Sequence, residues 1–291
     1  MAAMTATAAR PDRVVSLREI VADIPDGSHL ALAGFAITRN AVAFAHELIR
    51  AGTRGLTVTQ VFGGFETDLL AAAGAMDCLT YASGSIDRFG LLYAVNRAVL
   101  DGSLALSEYS GLALALRLHA GALGLPFVTT RSMLGSDLVA PLVATGQAAE
   151  IESPFDGAPC LALPPLHPDI AVVHVDVADR AGNAMVSGPV WSIPETARAS
   201  RMVDLVAEEI VEVGELDPSR ITIPGLLVHA VARVPHGGHP TAVYGHYDFD
   251  AAHLRQYAAA SNAGGDALDA YLDRFVRGVA TFDEYLEEVA P

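Results

Sequence analysis

The sequence predicts an α/β fold in which an open, mainly parallel sheet carries helices on both faces. From residue 29 onward, a short apolar run, a glycine-containing turn and a helix-like segment recur in that order, which is typical of βα units. The 291 residues are 52% hydrophobic and 18% charged, which is enough to bury a substantial core. Strands that alternate with amphipathic helices indicate a parallel sheet covered on both sides.

The predicted elements follow one another along the chain. The first unit has a strand over His29–Ala33, the turn Gly34-Phe35 and a helix over Asn40–Ala51. The second has a strand over Leu56–Phe62, the pair Gly63-Gly64 and a helix over Glu66–Ala73. Further strands are expected over Cys78–Ala82, Leu104–Ser107, Ile170–Asp176 and Arg201–Val206, and further helices over Leu91–Leu100 and Ser110–Ala122.

Two stretches depart from this alternation. Leu134–Pro168 is rich in glycine and proline and has no clear period, so we expect a long excursion from the sheet. Asp250–Glu288 carries acids at helical spacing together with aromatic residues, which predicts two or three capping helices. Residues 1–12 are expected to form a disordered tail and residues 13–291 a single domain.

Charge and composition exclude several classes of protein. The net charge of −16 opposes binding to a nucleic-acid backbone. All 18 basic residues are arginine, which excludes P-loop, Schiff-base and general-base lysines. Cys78 and Cys160 are the only cysteines, too few for a disulfide framework. Since the longest uncharged runs, such as that from Val234 to Tyr247, are shorter than the ~20 residues of a membrane span, we expect a soluble, cytoplasmic protein.

Two glycine-containing loops are candidates for a binding site. The loop from Ala33 to Arg39 follows the first strand and precedes a helix, where backbone N–H groups can hold an anion or oxyanion. The pair Gly63-Gly64 follows the second strand in the same way. Tight βα turns also use glycine for backbone reasons alone. Neither loop has the G-x-G-x-x-G pattern, which disfavours a dinucleotide-binding dehydrogenase.

Glu108 is a candidate reactive group because it ends an apolar run just before a hydroxyl-rich turn. A carboxylate at that position can point into a crevice and serve as nucleophile, base or ligand anchor. The alternative is an acid favoured by the dipole of the following helix.

Histidines gather in the segment Pro235–Pro240 and at His246 and His253. They would suit a metal, but the intervening glycines and prolines give no regular face on which ligands converge, and we predict no metal site. A Ser-His-Asp hydrolase is disfavoured because no G-x-S-x-G elbow is present.

Several segments, in their order and spacing across almost the whole chain, resemble the α subunit of family I coenzyme A transferases, most closely the glutaconate CoA-transferase branch. The resemblance rests on short motifs in both halves of the sequence: Asp26-Gly27, Gly34-Phe35, Arg39-Asn40, Gly121–Phe127, Thr130–Leu138, Asp179–Asn183, Pro224-Gly225, Pro235–Pro240 and Tyr247-Asp248 with Asp250.

The resemblance implies a CoA-transferase-like fold and a reaction through a glutamyl-CoA intermediate. In this family the nucleophilic glutamate belongs to a β subunit and usually precedes an asparagine and a glycine. None of the 14 glutamates here has that context, so the nucleophile is expected in trans and the partner is a β subunit in an αβ or α2β2 assembly. Coenzyme A thioester is then a substrate, with no cofactor bound permanently and a small or dicarboxylic acid as acceptor.

Binding of substrate or CoA is expected at Gly34, Phe35, Arg39, Gly63 and Gly64, and at a second group formed by Arg131, Ser132, Gly135 and Ser136. Arginine presents a planar fork suited to a carboxylate or phosphate; the alternative for Arg131 is an ion pair with Asp137. Many relatives carry a glycine pair where this chain has Ala33-Gly34, which leaves the acyl group open.

Two other functions remain open for this fold. One is a subunit of a ring-opening CoA-thioester hydrolase of catabolism, in which Glu108 would act, and the other is a non-catalytic ligand-binding subunit.

Overall fold

The computed structural model describes residues 12–290. Within them, the strands are β1 (His29–Leu32), β2 (Leu56–Gly63), β3 (Met76–Gly84), β4 (Ala105–Glu108), β5 (Val128–Thr130), β6 (Ala149–Glu152), β7 (Pro159–Leu163), β8 (Ile170–Asp179), β9 (Ala184–Met185), β10 (Met202–Val211) and β11 (Val228–Arg233). The α-helices are α1 (Leu17–Ala22), α2 (Val42–Ala51), α3 (Phe65–Ala72), α4 (Tyr93–Asp101), α5 (Gly111–Leu123), α6 (Val139–Ala144), α7 (Ile193–Ala199), α8 (Ala251–Ala263), α9 (Gly265–Leu272) and α10 (Phe282–Val289).

The large sheet confirms the predicted α/β class. Its strands lie in the order β11-β10-β8-β1-β2-β3-β4, all parallel, and the short β9 pairs antiparallel with β8. Leu30 in the central β1 faces Val58 of β2 on one side and Ile170 of β8 on the other. Because the chain runs outward from β1 in both directions, the strand order reverses there, and open parallel sheets bind ligands at such a point, beyond the carboxyl ends of the strands.

Helices cover both faces of this sheet. On one face α2, α3 and α4 pack with the C-terminal helices around a core that includes Phe44, Phe65 and Tyr257. On the other face α5 packs against α7 and over β2 and β3. The buried apolar side chains of each layer therefore fix the sheet between two helical layers.

The excursion expected over Leu134–Pro168 leaves the large sheet, but it is more regular than the sequence indicated. It contains α6 and the strands β6 and β7, which form an antiparallel sheet with β5 in the order β5-β7-β6. We call this three-stranded unit the small sheet. Its strands have only three to five residues each, too short to show a period.

The C-terminal segment forms three helices, as predicted. Asp250 caps α8 by accepting hydrogen bonds from the amides of Ala252 and His253. A π-helical turn over Asp273–Arg277 extends α9. The aromatic side chains on these helices, notably Tyr257 and Tyr285, are fully buried, so the helices cap the first layer rather than project from it.

Two expectations concern the rest of the chain. The predicted N-terminal tail lies outside the described residues except for Asp12, which pairs with Arg180. In residues 12–290, no helix combines the length and apolar character needed to cross a membrane.

Candidate active site

At the carboxyl ends of β1 and β2, the loop of residues 33–40 packs against the glycine pair at 63 and 64, and we call this region the crevice. A Cβ atom on Gly34 would collide with Asn40 Nδ2, and one on Gly64 would collide with the Ala36 carbonyl oxygen. No side chain fits at either position. The structure thus brings together both predicted glycine loops: the Ala36 carbonyl oxygen leaves no room for a side chain at Gly64, and the buried side chains of Asn40 and Glu66 leave none at Gly34.

The hydrogen bonds of the first loop are largely satisfied within the chain. Phe35 and Thr38 donate to each other's carbonyl oxygens at 2.9 and 2.7 Å, and the Arg39 amide donates to Ala242 O at 2.8 Å. These three amides are therefore not available to a substrate oxyanion in this arrangement. The loop is therefore held in place by hydrogen bonds within itself and to the segment that contains Ala242.

A buried acid, Glu66, lies next to this loop. It accepts hydrogen bonds from the Ala41 amide at 2.5 Å and from Gln60 Nε2 at 2.8 Å. Burial raises the pKa of Glu66 to about 8, against the opposing effect of these hydrogen bonds. Sequence reasoning missed Glu66, although its place in the first turn after Gly63-Gly64 was a signal.

Arg39 is buried beside the crevice rather than exposed to it. Its Nη1 lies 2.5 Å from Asp176 Oδ1, and its Nη2 donates to Ser187 O at 2.9 Å. Both side chains of the ion pair are almost fully buried. His246 Nε2 lies 3.7 Å from the same Asp176 oxygen. The predicted residue Arg39 thus joins the loop after β1 to β8.

A second buried polar group lies at the same end of the sheet, on β8, β10 and the loop after β11. Glu208 Oε1 lies 2.9 Å from His174 Nε2 and accepts a hydrogen bond from the Tyr247 hydroxyl at 2.6 Å. Burial lowers the pKa of His174. Burial acts to raise the pKa of Glu208, but its hydrogen bonds to His174, Tyr247 and the His236 amide outweigh it and lower that pKa.

Left-handed backbone at non-glycine residues marks the same region. Ala36, Arg39, Trp191 and His236 have φ angles of 49°, 55°, 45° and 56°. Side chains other than glycine rarely adopt this conformation, and such strain persists where the surroundings hold it, often at functional sites.

A cavity of about 520 Å³ opens beside Phe35. The Phe35 ring stacks on Trp191 with centroids 4.0 Å apart and contacts Phe62 at 4.7 Å. The cavity's apolar lining comprises Val61, Phe62, Leu112, Ala115, Leu116 and Trp191. Its charged or ionisable lining consists of His119 and Glu195, whose nearest side-chain atoms lie 4.0 Å apart. Sequence reasoning missed Trp191 because it follows no strand of the predicted set.

The second predicted binding group lies elsewhere. Arg131 follows β5 of the small sheet and is 67% exposed. It pairs with Asp156 at 3.2 Å and not with Asp137, the partner named in the alternative to ligand binding. Ser132 Oγ lies 2.6 Å from Ser110 Oγ, and Ser136 Oγ donates to Met133 O at 2.7 Å. Gly135 has a φ of 77° in the intervening turn.

Glu108 is exposed at the end of β4, the edge strand, opposite Tyr81 of β3. It lines a different cavity of about 510 Å³ together with Asp137 and Gln147. That lining shares no residue with the cavity beside Phe35.

The histidine-rich segment forms a packed cluster of hydrogen-bonded side chains. His239 Nδ1 lies 2.9 Å from the Tyr285 hydroxyl, and His239 Nε2 lies 3.3 Å from Asp250 Oδ2. Across residues 12–290, no group of three or more His, Cys, Asp or Glu side chains is arranged to hold a metal ion.

Comparison with known proteins matches residues 14–233 to the coenzyme A transferase family model. An uncharacterized protein of Archaeoglobus fulgidus is 35% identical over 96% of this chain, which spans only 62% of that longer protein. The A-type subunit of 3-oxoadipate CoA-transferase from Pseudomonas knackmussii is 33% identical over 95% of this chain and 98% of its own length. The crystal structure of glutaconate CoA-transferase from Acidaminococcus fermentans superposes with a TM-score of 0.89 at 28% identity, over 96% of this chain and 93% of that chain.

Proposed function

The chain belongs to the coenzyme A transferase family, and on that basis we propose that it is the α subunit of a heteromeric enzyme that transfers coenzyme A between an acyl-CoA thioester and a carboxylic acid. The observation that carries this proposal is the crevice at the reversal of strand order, closed by Gly34 and Gly64 contacts that no other residue permits. Its aromatic wall adjoins a cavity large enough for an acyl group.

The proposed nucleophile is a glutamate of the partner subunit. Its carboxylate oxygen attacks the thioester carbonyl carbon, the C–S bond breaks, and CoA leaves as the thiolate, giving a mixed anhydride. The thiolate then attacks the glutamyl carbonyl and releases the first acid as its carboxylate. The acceptor carboxylate repeats the exchange on the resulting glutamyl-CoA, so that the partner glutamate is regenerated and no proton or electron is left over.

The residues of this chain shape the site in which that exchange occurs. In the proposal, Gly34, Phe35, Gly63 and Gly64 form the wall against which the thioester lies. Arg39 acts as a positioning residue, because its ion pair with Asp176 holds the loop that carries Phe35. Oxyanion stabilisation requires donors other than the amides of Phe35, Thr38 and Arg39, since these are already bonded.

The second predicted group is proposed to bind the distal part of the substrate. Arg131 projects from the small sheet, with Ser132, Gly135 and Ser136 in the turn beside it. The exposed guanidinium of Arg131 is suited to a CoA phosphate or the acid substrate. A phosphate would compete with Asp156 for this side chain.

The proposed assembly is αβ or α2β2 in the cytoplasm, with CoA thioester as a substrate of catabolism and no resident cofactor. We test it by measuring CoA transfer with this chain alone, with the β-like chain from the neighbouring gene alone, and with the two together. Transfer is expected only for the pair. Incubation with acyl-CoA in the absence of acceptor should add the mass of CoA less that of one water molecule to the partner and not to this chain. Turnover by this chain alone, or an adduct on it, would contradict the proposal.

A hydrolase is the alternative that one observation favours. The Glu108 carboxylate is exposed at a strand end and lines its own cavity, as a base that activates water would. In a hydrolase, Glu108→Gln in the complex should lower turnover by ~10² or more at an unchanged melting temperature. In a transferase the effect should be smaller and mainly on the second substrate. Wild-type turnover with lowered stability would assign Glu108 to capping the following helix.

A further inference from the structure

The cavity beside Phe35 has a composition that selects among acyl groups. Its walls are aliphatic and aromatic, and Leu112 and Trp191, both on its lining, remain 59% and 49% exposed. An apolar ligand that covers these exposed side chains would be stabilised by roughly 25 cal/mol for each Å² of apolar surface removed from water. A volume of about 520 Å³ is in the range of small-molecule sites rather than of a protein interface.

The charges around the cavity disfavour a second carboxylate. Among the described residues that line it, none is arginine, and the carboxylate of Glu195 faces the space. The nearby guanidinium of Arg39 is already paired with Asp176 and buried. The remaining ionisable side chain of the lining, His119, already lies 4.0 Å from Glu195. A carboxylate placed inside would therefore lose its hydration, face the Glu195 carboxylate and compete with it for His119, which is costly.

The cavity also opens next to the loop where the thioester is proposed to lie. Phe35 belongs to that loop and stacks on Trp191, which lines the cavity. At the opposite wall Gly111 leaves room for the Phe62 ring, since a Cβ atom there would lie 3.1 Å from it. The apolar space thus adjoins the loop that carries Phe35, through the contacts of Phe35 with Phe62 and Trp191.

From these observations we propose that the cavity binds the hydrocarbon chain of a monocarboxylic acyl-CoA and discriminates against dicarboxylic acyl groups. This inference rests on the proposed function and narrows its substrate class. Of the small or dicarboxylic acid that the sequence resemblance suggested, it retains only the monocarboxylic choice. The discriminating residues are Leu112, Trp191 and Glu195.

A binding measurement tests this without turnover. Trp191 is the only tryptophan of the chain, so its fluorescence in the complex, after subtraction of a Trp191→Phe complex, reports on the cavity. Hexanoyl-CoA and adipyl-CoA have acyl chains of equal length and differ in the terminal carboxylate. Hexanoyl-CoA should bind at least about tenfold more tightly than adipyl-CoA. Equal or tighter binding of adipyl-CoA, or no response of Trp191 to either thioester, would overturn the inference.

A matched pair of variants on α5 locates the effect. Leu112→Arg places a cation in the cavity, whereas Leu123→Arg makes the same change at the far end of the helix, where Leu123 is 60% exposed. Leu112→Arg should reduce the preference for hexanoyl-CoA over adipyl-CoA, in both Kd and kcat/KM, by about tenfold or more, and Leu123→Arg should leave it unchanged.

The outcomes separate the two proposals. Absence of CoA transfer with every donor, together with selective hexanoyl-CoA binding, would reject the transferase and retain the cavity assignment. Active transfer with equal use of both donors would retain the transferase and reject the cavity assignment. If Leu112→Arg prevents association with the partner, the cavity is filled by the partner's surface and the inference is wrong.

Discussion

The crevice and the small sheet both carry predicted binding residues, yet the two regions are held in place differently. In the crevice, Arg39 and Asp176 form a buried ion pair, and the loops approach too closely for any residue but glycine. In the small sheet, Arg131 pairs with Asp156 in solvent, and Gly135 has open space around it. The crevice is therefore a preorganised site, whereas the exposed residues beside the small sheet are free to adjust to a ligand.

The largest contrast in stability is expected between the two arginines. Arg39→Ala leaves the Asp176 carboxylate buried without its cation, so the free energy of unfolding should fall by about 3–5 kcal/mol. Arg131→Ala removes an exposed ion pair and should leave the unfolding midpoint in urea unchanged. Comparable losses for both variants would mean that the crevice is no better fixed than the small sheet. Asp176→Asn, which removes the other charge of the pair, should also destabilise the fold.

Gly64 in the crevice and Gly135 beside the small sheet test the same difference at the level of the backbone. Gly64→Ala forces a Cβ atom against the Ala36 carbonyl oxygen, so we expect a loss of about 1–3 kcal/mol and, because the loop of Phe35 must move, a lower kcat/KM of the complex. Gly135→Ala meets no atom and suffers only from its left-handed φ, at a cost of about 1 kcal/mol. Urea unfolding measures both. A harmless Gly64→Ala would show that the loop yields easily.

A third difference between the two regions concerns a buried acid, Glu66, next to the crevice, and its effect on how stability depends on pH. Its pKa in the folded state, about 8, exceeds its ordinary value of 4.5 because the side chain is buried. The folded state therefore retains a proton that the unfolded state loses, and the stabilising contribution, complete below about pH 4.5, is lost as the pH rises towards 8. Glu66→Gln should reduce this fall in stability, which is at most about 1.4 kcal/mol per pH unit.

The matched control is Glu150→Gln, an exposed glutamate of β6 in the small sheet. Because its side chain is exposed, this variant should unfold within about 0.5 kcal/mol of the wild type. If Glu66→Gln has the wild-type pH profile, burial of Glu66 does not control its ionisation.

The smallest expected effect on folding belongs to Arg131→Lys. The positive charge is kept but the planar fork is lost, so stability should not change while the KM of the complex for CoA thioester or for the acid rises severalfold. Steady-state kinetics with each substrate varied in turn would show which one Arg131 contacts. An unchanged KM for both would leave Arg131 with the structural pair to Asp156 alone.

The sequence predicted the local half of this architecture. The glycine turns after β1 and β2 are signalled by neighbouring residues, because each strand and its turn are adjacent in the chain. The partners of Arg39 were not predicted, since Asp176 lies 137 positions away and sequence spacing carries no information about contacts at that distance. A signal did exist: His174 and Asp176 interrupt an otherwise apolar, buried strand, and buried polar side chains usually have a specific partner.

Near the small sheet, the sequence indicated candidate residues but not the structure around them. Beside it, Arg131, Ser132, Gly135 and Ser136 form a recognisable motif in the turn after β5, yet the motif did not reveal the short strands nearby or the true partner of Arg131. Strands of three to five residues carry too few alternations to be recognised. Local sequence therefore identified the candidate residues there, but not their arrangement.

The central position of β1 has a consequence for how the protein acquires its structure. As the chain is synthesised from its N-terminus, β1 can pair with β2 early, but its other edge waits for β8, which begins at residue 170. Contacts between distant segments form slowly, and an unpaired strand edge can meanwhile recruit other chains. The loop after β1 needs still later residues, since the Arg39 amide bonds to Ala242. The crevice is therefore among the last regions that a nascent chain can complete, and a chain truncated before β8 would expose a bare strand edge at its centre.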